Sequence, residues 1–244
     1  MESRFEVETS LGQVWFWGRD TGRPILLVIS GAFAGPDFFW KIQTAFPGAD
    51  VLRTHLPGNH CPALSEISIA AFVQAMDEAL AARWRHRPLM AFGASVGGIV
   101  ALGLRHPGVR RVVAIEPPLL TDGVWPLLQF RSETPPGGEA FVWNIFGIGA
   151  DTAETRDHTW VLDGLPAPSL AVVGGVPLNP PRPVQGMPSL ISDATLARLA
   201  DHPLMTVETI AAAGHNVARD ANGPLHRLVG GWWNAAFPEA AIAL

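Results

Sequence analysis

Apolar and polar positions alternate along the first twenty residues and then give way to mostly apolar runs. Residues 4–10 and 13–19 alternate with a period of two on either side of Leu11 and Gly12, which predicts an antiparallel hairpin. Continuous apolar runs are typical of strands that are buried on both faces of a sheet. The strands predicted after the hairpin cover residues 25–30, 49–58, 88–93, 109–118, 168–175 and 204–213.

Segments with helical spacing separate these runs. In residues 65–84 apolar positions recur at i, i+3 and i+4, and Ser65 is the predicted N-cap. Asp193 is the predicted cap of a later helix. Strands that alternate with helices predict an α/β fold, with a mostly parallel eight-stranded sheet covered by helices on both faces. The other predicted helices cover residues 36–45, 95–106, 193–200 and 222–237.

The alternation is interrupted between residues 119 and 166. This segment is rich in proline, glycine and aromatic residues, and it is longer than most connections in compact domains. It is predicted to form a lid or small cap after the sixth strand. The core domain would then consist of residues 1–118 and 167–244.

The composition mainly excludes classes of function and of structural feature. The 244 residues are 48% hydrophobic and 16% charged, which suits a chain with a sizeable core. The net charge is −5 and the basic residues are scattered, so nothing indicates nucleic-acid binding. The single Cys61 excludes an intramolecular disulfide. The polar N-terminus is unlike a signal peptide and no apolar run is long enough to span a membrane, so a cytoplasmic protein is expected.

Ser95 lies in the sequence Gly-Ala-Ser-Val-Gly, between a predicted strand and a predicted helix. A nucleophile elbow places a serine on such a sharp turn, and it needs the small neighbours that Gly93 and Gly97 supply. At the start of the helix, the backbone N–H of Val96 would be placed to stabilise an oxyanion. The alternative is a serine that only caps the helix. Ser95 is therefore the candidate nucleophile.

With these motifs the chain resembles the α/β-hydrolases over nearly its whole length, least so in residues 119–166. The segment ILLVISGAFAG resembles the third strand and oxyanion loop of that family, with Ser30 and Gly31 in place of the usual His-Gly pair. The resemblance implies that the backbone N–H of Ala32 is the second oxyanion donor, with Phe33 as the alternative.

The segment IAAAGHNVARDANGP resembles the last strand of the family and the loop that delivers the catalytic base. His215 is thus the candidate base, and its place after the serine fits the order in the family. The alternative is a histidine in an exposed loop. His55 and His60 follow the fourth strand, where they would line the mouth of the site, but a structural or solvated role is expected for them.

The position of the carboxylate that would orient the candidate base departs from the usual family pattern. Family members commonly carry an aspartate after the seventh strand, where this chain has no carboxylate before Asp193. Glu116 instead ends the sixth strand, which resembles the acid position of certain haloalkane dehalogenases. A carboxylate at the end of an apolar strand needs a partner, and a histidine N–H would supply one. The alternatives are a glutamate that binds backbone amides at the cap entrance, and a triad without a strong acid.

The resemblance implies a serine hydrolase with a Ser-His-Glu triad that cleaves an ester or thioester of a hydrophobic acyl or aryl substrate. A small molecule of that kind is the expected partner, no cofactor fingerprint is present, and a homodimer is left open. The alternatives are a carbon–carbon bond hydrolase, a lyase, an acyltransferase or a non-catalytic binding protein on the same fold. The candidate substrate contacts are Phe33, Phe38, Trp125 and Trp143.

Overall fold

One eight-stranded sheet organises the fold. The computed structural model describes residues 2–39, 41–124, 138–177 and 187–244. The strands follow the spatial order β1-β2-β4-β3-β5-β6-β7-β8; β2 is antiparallel to both of its neighbours and the remaining pairs are parallel. This confirms the predicted mostly parallel sheet. The strands are β1 (Ser3–Thr9), β2 (Gly12–Gly18), β3 (Ile25–Ile29), β4 (Asp50–Thr54), β5 (Leu89–Ala94), β6 (Val109–Ile115), β7 (Ser169–Gly174) and β8 (Met205–Ile210).

Helices cover both faces of the sheet. Apolar side chains of α2 and α3 pack on one face, and those of α1 and α7 pack on the other. The described helices are α1 (Ile42–Ala45), α2 (Ile69–Trp84), α3 (Val96–Gly103), α4 (Glu139–Phe141), α5 (Asp193–Ala200), α6 (Val217–Asp220) and α7 (Asn222–Ala236). Within the described ranges, no helix combines the length and apolar character needed to cross a membrane.

Two helix starts differ from the prediction. The N-cap of α2 is Ser68, whose hydroxyl accepts a hydrogen bond from the N–H three residues further on, so the predicted Ser65 cap is wrong. Ser192 caps α5 in the same way, and Asp193 lies in the first turn instead of at the cap. In both segments several polar residues precede the helix, and only the backbone path decides which hydroxyl reaches the free N–H groups.

The connection between β6 and β7 packs partly into the main core. Of its described residues, Phe141, Ile145 and Phe146 are buried and join the apolar cluster beneath α2 and α3. A five-residue π-helical turn, Val142–Phe146, follows α4 directly. This segment therefore contributes to the hydrophobic core, and it places Phe141 close to the carboxyl edge of the sheet, beside Phe33.

Candidate active site

The backbone of Ser95 is strained in the way that the predicted nucleophile elbow requires. Its φ is 53° and its ψ is −124°, a conformation that residues with a side chain rarely adopt. The turn is tight enough to exclude side chains on both flanking glycines. A Cβ at Gly93 would lie 2.1 Å from the carbonyl oxygen of Gly97, and one at Gly97 would lie 2.4 Å from that of Ile29. The glycine spacing is thus required by contacts with the backbone.

The loop after β3 runs directly beside this elbow. A Cβ built on Gly31 would lie 3.3 Å from the Cβ of Ser95. Among the described residues, neither the backbone N–H of Ala32 nor that of Val96 donates a hydrogen bond. Two uncommitted N–H groups next to a serine are what an oxyanion hole requires.

The shape of this loop is held by three contacts. The Ser30 hydroxyl donates to the carbonyl of Gly35 at 3.1 Å, which closes the loop. Phe33 has a φ of 58°, and its carbonyl oxygen lies 3.4 Å from Nε2 of His60. The Phe33 ring packs on Phe141 with 5.1 Å between ring centroids. An aromatic surface therefore adjoins the two N–H groups: the half-buried Phe33 forms it, and the buried Phe141 supports it from beneath.

Glu116 lies at the end of β6, is 0% exposed and has a φ of 48°. Its Oε2 lies 3.2 Å from Nδ1 of His215 and accepts a hydrogen bond from the Leu190 N–H at 2.9 Å. Its Oε1 accepts from the Gly174 N–H at 2.6 Å and from the Ser189 hydroxyl at 2.8 Å. The carboxylate thus contacts the histidine and also binds backbone amides, so both arrangements considered from the sequence occur together.

His215 is fixed by its own loop. Its backbone N–H donates to the carbonyl of Met187 at 3.0 Å, and its side chain is 15% exposed. A Cβ on Gly214 would lie 2.2 Å from that same carbonyl oxygen, so glycine is required there. The Gly214 N–H donates to Oδ2 of Asp220 at 3.0 Å. These contacts fix the backbone of the loop that presents the imidazole to Glu116.

Ser95 and His215 are both joined to the end of β6. The Ser95 N–H donates to the carbonyl of Ile115 at 2.7 Å, and Ile115 directly precedes Glu116. In the part of the chain that is described, no hydrogen bond joins Oγ of Ser95 to the imidazole of His215. Contacts between a nucleophile and its base often become short only when substrate binds.

Three of the four predicted substrate contacts either have another partner or lie outside the described residues. Trp143 is half-buried, and the guanidinium of Arg156 lies 4.6 Å from its ring centroid, so the indole has a cationic partner within its own segment. Trp125 and the side chain of Phe38 lie outside the described residues. Of the four predicted contacts, Phe33 is the one that lies in the loop beside Ser95.

His55 is buried in the sheet end and is not solvated. Its ring lies between Trp17, at 4.9 Å, and His60, at 5.4 Å. Burial lowers the pKa of His55 to about 4, so the ring is neutral at physiological pH. Burial also raises the pKa of the neighbouring Cys61 thiol to about 11. Both side chains are therefore uncharged at physiological pH.

No protein-family profile and no characterised protein matches this chain by sequence. Solved structures do resemble it. An esterase from Pyrococcus furiosus has a TM-score of 0.69 at 13% identity, over 97% of this chain and 91% of its own. The carboxylesterase CesB from Bacillus subtilis has a TM-score of 0.70 at 14% identity, over 96% of this chain and 92% of its own. The chain has the α/β-hydrolase fold.

A third solved structure that resembles this one is a mutant of the N-acyl homoserine lactonase AidH in complex with N-hexanoyl homoserine. Its TM-score is 0.66 at 16% identity, over 97% of this chain and 98% of its own. On this α/β-hydrolase fold Ser95 follows β5, Glu116 follows β6 and His215 lies beyond β8. The carboxyl ends of the strands are where open α/β sheets bind ligands. The fold is thus established by the likeness, while the chemistry has to be argued from the residues at this edge.

Proposed function

We propose that this protein is a serine hydrolase in which Ser95 is the nucleophile, His215 the general base and Glu116 the acid that orients the base. The contact between the buried Glu116 and the imidazole of His215 carries the proposal. A carboxylate acceptor at Nδ1 assigns the proton to that nitrogen, which leaves Nε2 as the acceptor for the serine proton. A glutamate with three further hydrogen bonds is held rigidly enough to orient the ring.

The proposed reaction proceeds through an acyl-enzyme. His215 takes the hydroxyl proton while Oγ of Ser95 attacks the carbonyl carbon, and Glu116 stabilises the imidazolium that forms. The tetrahedral intermediate collapses with cleavage of the bond from carbon to oxygen or sulfur, and His215 protonates the leaving group. Water, deprotonated by His215, then attacks the acyl-enzyme and releases the acid and the free serine.

The backbone N–H groups of Ala32 and Val96 are the proposed oxyanion donors. Their hydrogen atoms are uncommitted among the described residues, and Val96 also begins α3, where the helix dipole favours negative charge. A single donor of this kind contributes about 3–4 kcal/mol to stabilisation of the transition state. The proposed hole therefore depends on the path of the loop from Ser30 to Gly35, which the Ser30 hydroxyl closes.

A hydrophobic acyl or aryl ester, or the corresponding thioester, is the proposed substrate class. The Phe33 ring beside the oxyanion loop continues into Phe141 and then Phe72, with successive centroids 5.1 and 6.0 Å apart. The half-buried Phe33, supported from beneath by the buried Phe141 and Phe72, is thus an aromatic surface that favours an apolar acyl group. Esterases and a lactonase among the similar structures are consistent with this bond type. We also propose residues 119–166 as the lid of a core formed by 1–118 and 167–244.

Labelling with a fluorophosphonate probe tests the proposal. We expect covalent modification of the wild-type protein at Ser95, and its loss in Ser95→Ala and His215→Ala. Ser68→Ala is the matched control, because it removes the N-cap of α2 without touching the site and should leave labelling intact. A folded wild-type protein that never reacts, or a Ser95→Ala variant that still reacts at the same rate, would show that the proposal is wrong.

The substrate class is tested with p-nitrophenyl esters and thioesters of increasing acyl length. We expect kcat/KM to rise from acetyl to longer acyl groups and Phe141→Ala to reduce that rise, because the Phe141 ring is half of the aromatic contact with Phe33. A variant with an unchanged chain-length profile would exclude this aromatic surface as the acyl site.

A further inference from the structure

A cavity lies on the face of the sheet that α1 and α7 cover. Its volume is about 630 Å³, which is within the usual range of small-molecule sites. It is lined from α1, α7 and the start of α6, with β5 beneath it. None of the described lining residues is Ser95, Glu116 or His215, and the lining comes nearest to them in sequence at Asn216, which follows His215.

The floor of the cavity is apolar and well supported. The rings of Phe39 and Phe92 meet edge to face with centroids 5.3 Å apart. Phe46 packs in the same manner on the buried Trp233 at 5.6 Å. Such contacts hold the rings in place, so the floor keeps its shape when a ligand binds. The larger apolar lining residues are Phe39, Ile42, Phe46, Phe92, Leu225 and Val229.

The polar lining carries positive charge without any acidic residue among its described members. Lys41 directly precedes α1, Arg219 lies in α6, and His226 adds an imidazole from α7. Nε of Arg219 donates to Oδ1 of Asp220 at 2.9 Å, which leaves the terminal guanidinium N–H groups as further donors. Asp220 does not line the cavity, and its other oxygen accepts the N–H of Gly214.

We propose that this cavity binds an amphipathic monocarboxylate, with an aliphatic or aromatic body on the phenylalanine floor and its carboxylate at Arg219. The floor is too apolar for a small inorganic anion, and burial of a hydrocarbon body there removes apolar surface from water on both sides. A planar guanidinium matches the geometry of a carboxylate. This inference is independent of the chemistry of Ser95.

Titration calorimetry of the full chain with decanoate is the first test. We expect saturable binding, and binding of the neutral analogue decanol that is at least fivefold weaker. Arg219→Gln should weaken decanoate binding about three- to fivefold, the range of a solvent-exposed ion pair. Arg219→Lys keeps the charge and should retain most of the affinity. Arg110→Gln, which removes an exposed arginine of β6, is the matched control and should have no effect.

A variant in which a larger side chain fills the cavity provides an independent test of the inference. Ala45 lines the cavity from α1, so Ala45→Trp should reduce decanoate binding at least tenfold while circular dichroism shows a folded chain. If Ala45→Trp does not fold, Thr44→Trp, from the same helix and the same lining, takes its place.

The position of the ligand is tested by photo-crosslinking with a decanoate analogue that carries a terminal diazirine. We expect crosslinks in peptides that contain Ile42 to Phe46 or Leu225 to Val229. Crosslinks confined to other peptides, equal binding of decanol and decanoate, or unchanged affinity in both Arg219→Gln and the tryptophan variant would each overturn the inference. Because none of these readouts uses catalysis, they separate it from a failure of fluorophosphonate labelling.

Discussion

Replacing Glu116 by glutamine keeps the shape of the side chain but turns one acceptor oxygen into a donor. Each carboxylate oxygen accepts one backbone N–H, that of Gly174 at Oε1 and that of Leu190 at Oε2. Whichever position the amide nitrogen takes, it faces one of these buried N–H groups. A buried N–H without an acceptor costs about 1–3 kcal/mol, so the free energy of unfolding should fall by that amount.

The effect on turnover should be larger. With the amide nitrogen at the Oε2 position, Nδ1 of His215 would accept a hydrogen bond from the amide N–H, and the ring would carry its own proton on Nε2. That nitrogen could then no longer accept the proton of Ser95. In the other orientation the charge that stabilises the imidazolium is still lost. Loss of this function in a catalytic triad lowers kcat about 10³- to 10⁴-fold, or roughly 4–5.5 kcal/mol.

Two measurements on the same preparations separate catalysis from structure: urea unfolding and steady-state hydrolysis of a p-nitrophenyl ester. Ser189→Ala is the control, because it removes one neutral donor to Glu116 and leaves the contact with His215 in place. We expect it to cost about 0.5–1.5 kcal/mol of stability and to leave kcat nearly unchanged. A Glu116→Gln variant that is destabilised but retains kcat close to the wild-type value would refute the reasoning, since the glutamate would then only hold the loop.

The remaining predictions concern packing and ionisation. Gly97→Ala should abolish fluorophosphonate labelling and lower the unfolding temperature, because its Cβ would lie 2.4 Å from the carbonyl oxygen of Ile29. Gly231→Ala, whose Cβ meets nothing within 4 Å in α7, should instead stabilise the chain by about 0.5–1 kcal/mol, and equal effects of the two changes would contradict the packing argument. The pKa of His55 is about 4 in the folded chain against 6.5 as its ordinary value, so unfolding is favoured as the pH falls from 6.5 to 4, by up to about 3 kcal/mol. The free energy of unfolding of His55→Gln, measured in urea, should lack this part of the pH dependence. If the variant and the wild type show the same pH dependence, the burial of His55 is not its cause. The Cys61 thiol, with its pKa raised to about 11, should react with a disulfide reagent at pH 8 about 100-fold more slowly than in the urea-unfolded chain, and similar rates would contradict its burial.

The periodicity of the chain predicted the sheet and its helices because it is a local property. Residues that are buried on both faces of a strand are apolar throughout, and β3 and β5 show this pattern in sequence and in burial. Helix starts were less predictable, as Ser65 and Ser68 show: both are serines before the same apolar segment. Only the backbone path decides that the hydroxyl of Ser68 reaches an N–H of the first turn.

By itself the sequence determined the elbow around Ser95, since its glycine spacing and its place between strand and helix involve neighbouring residues alone. It paired Glu116 with His215 through the family resemblance, because the two are 99 residues apart and no local motif relates them. Ser189, 73 residues beyond Glu116, carries no sequence signal at all. The tertiary structure alone decided these contacts, because they form where the ends of β6 and β7 meet the loop beyond β8, and a buried carboxylate takes whatever donors that junction supplies.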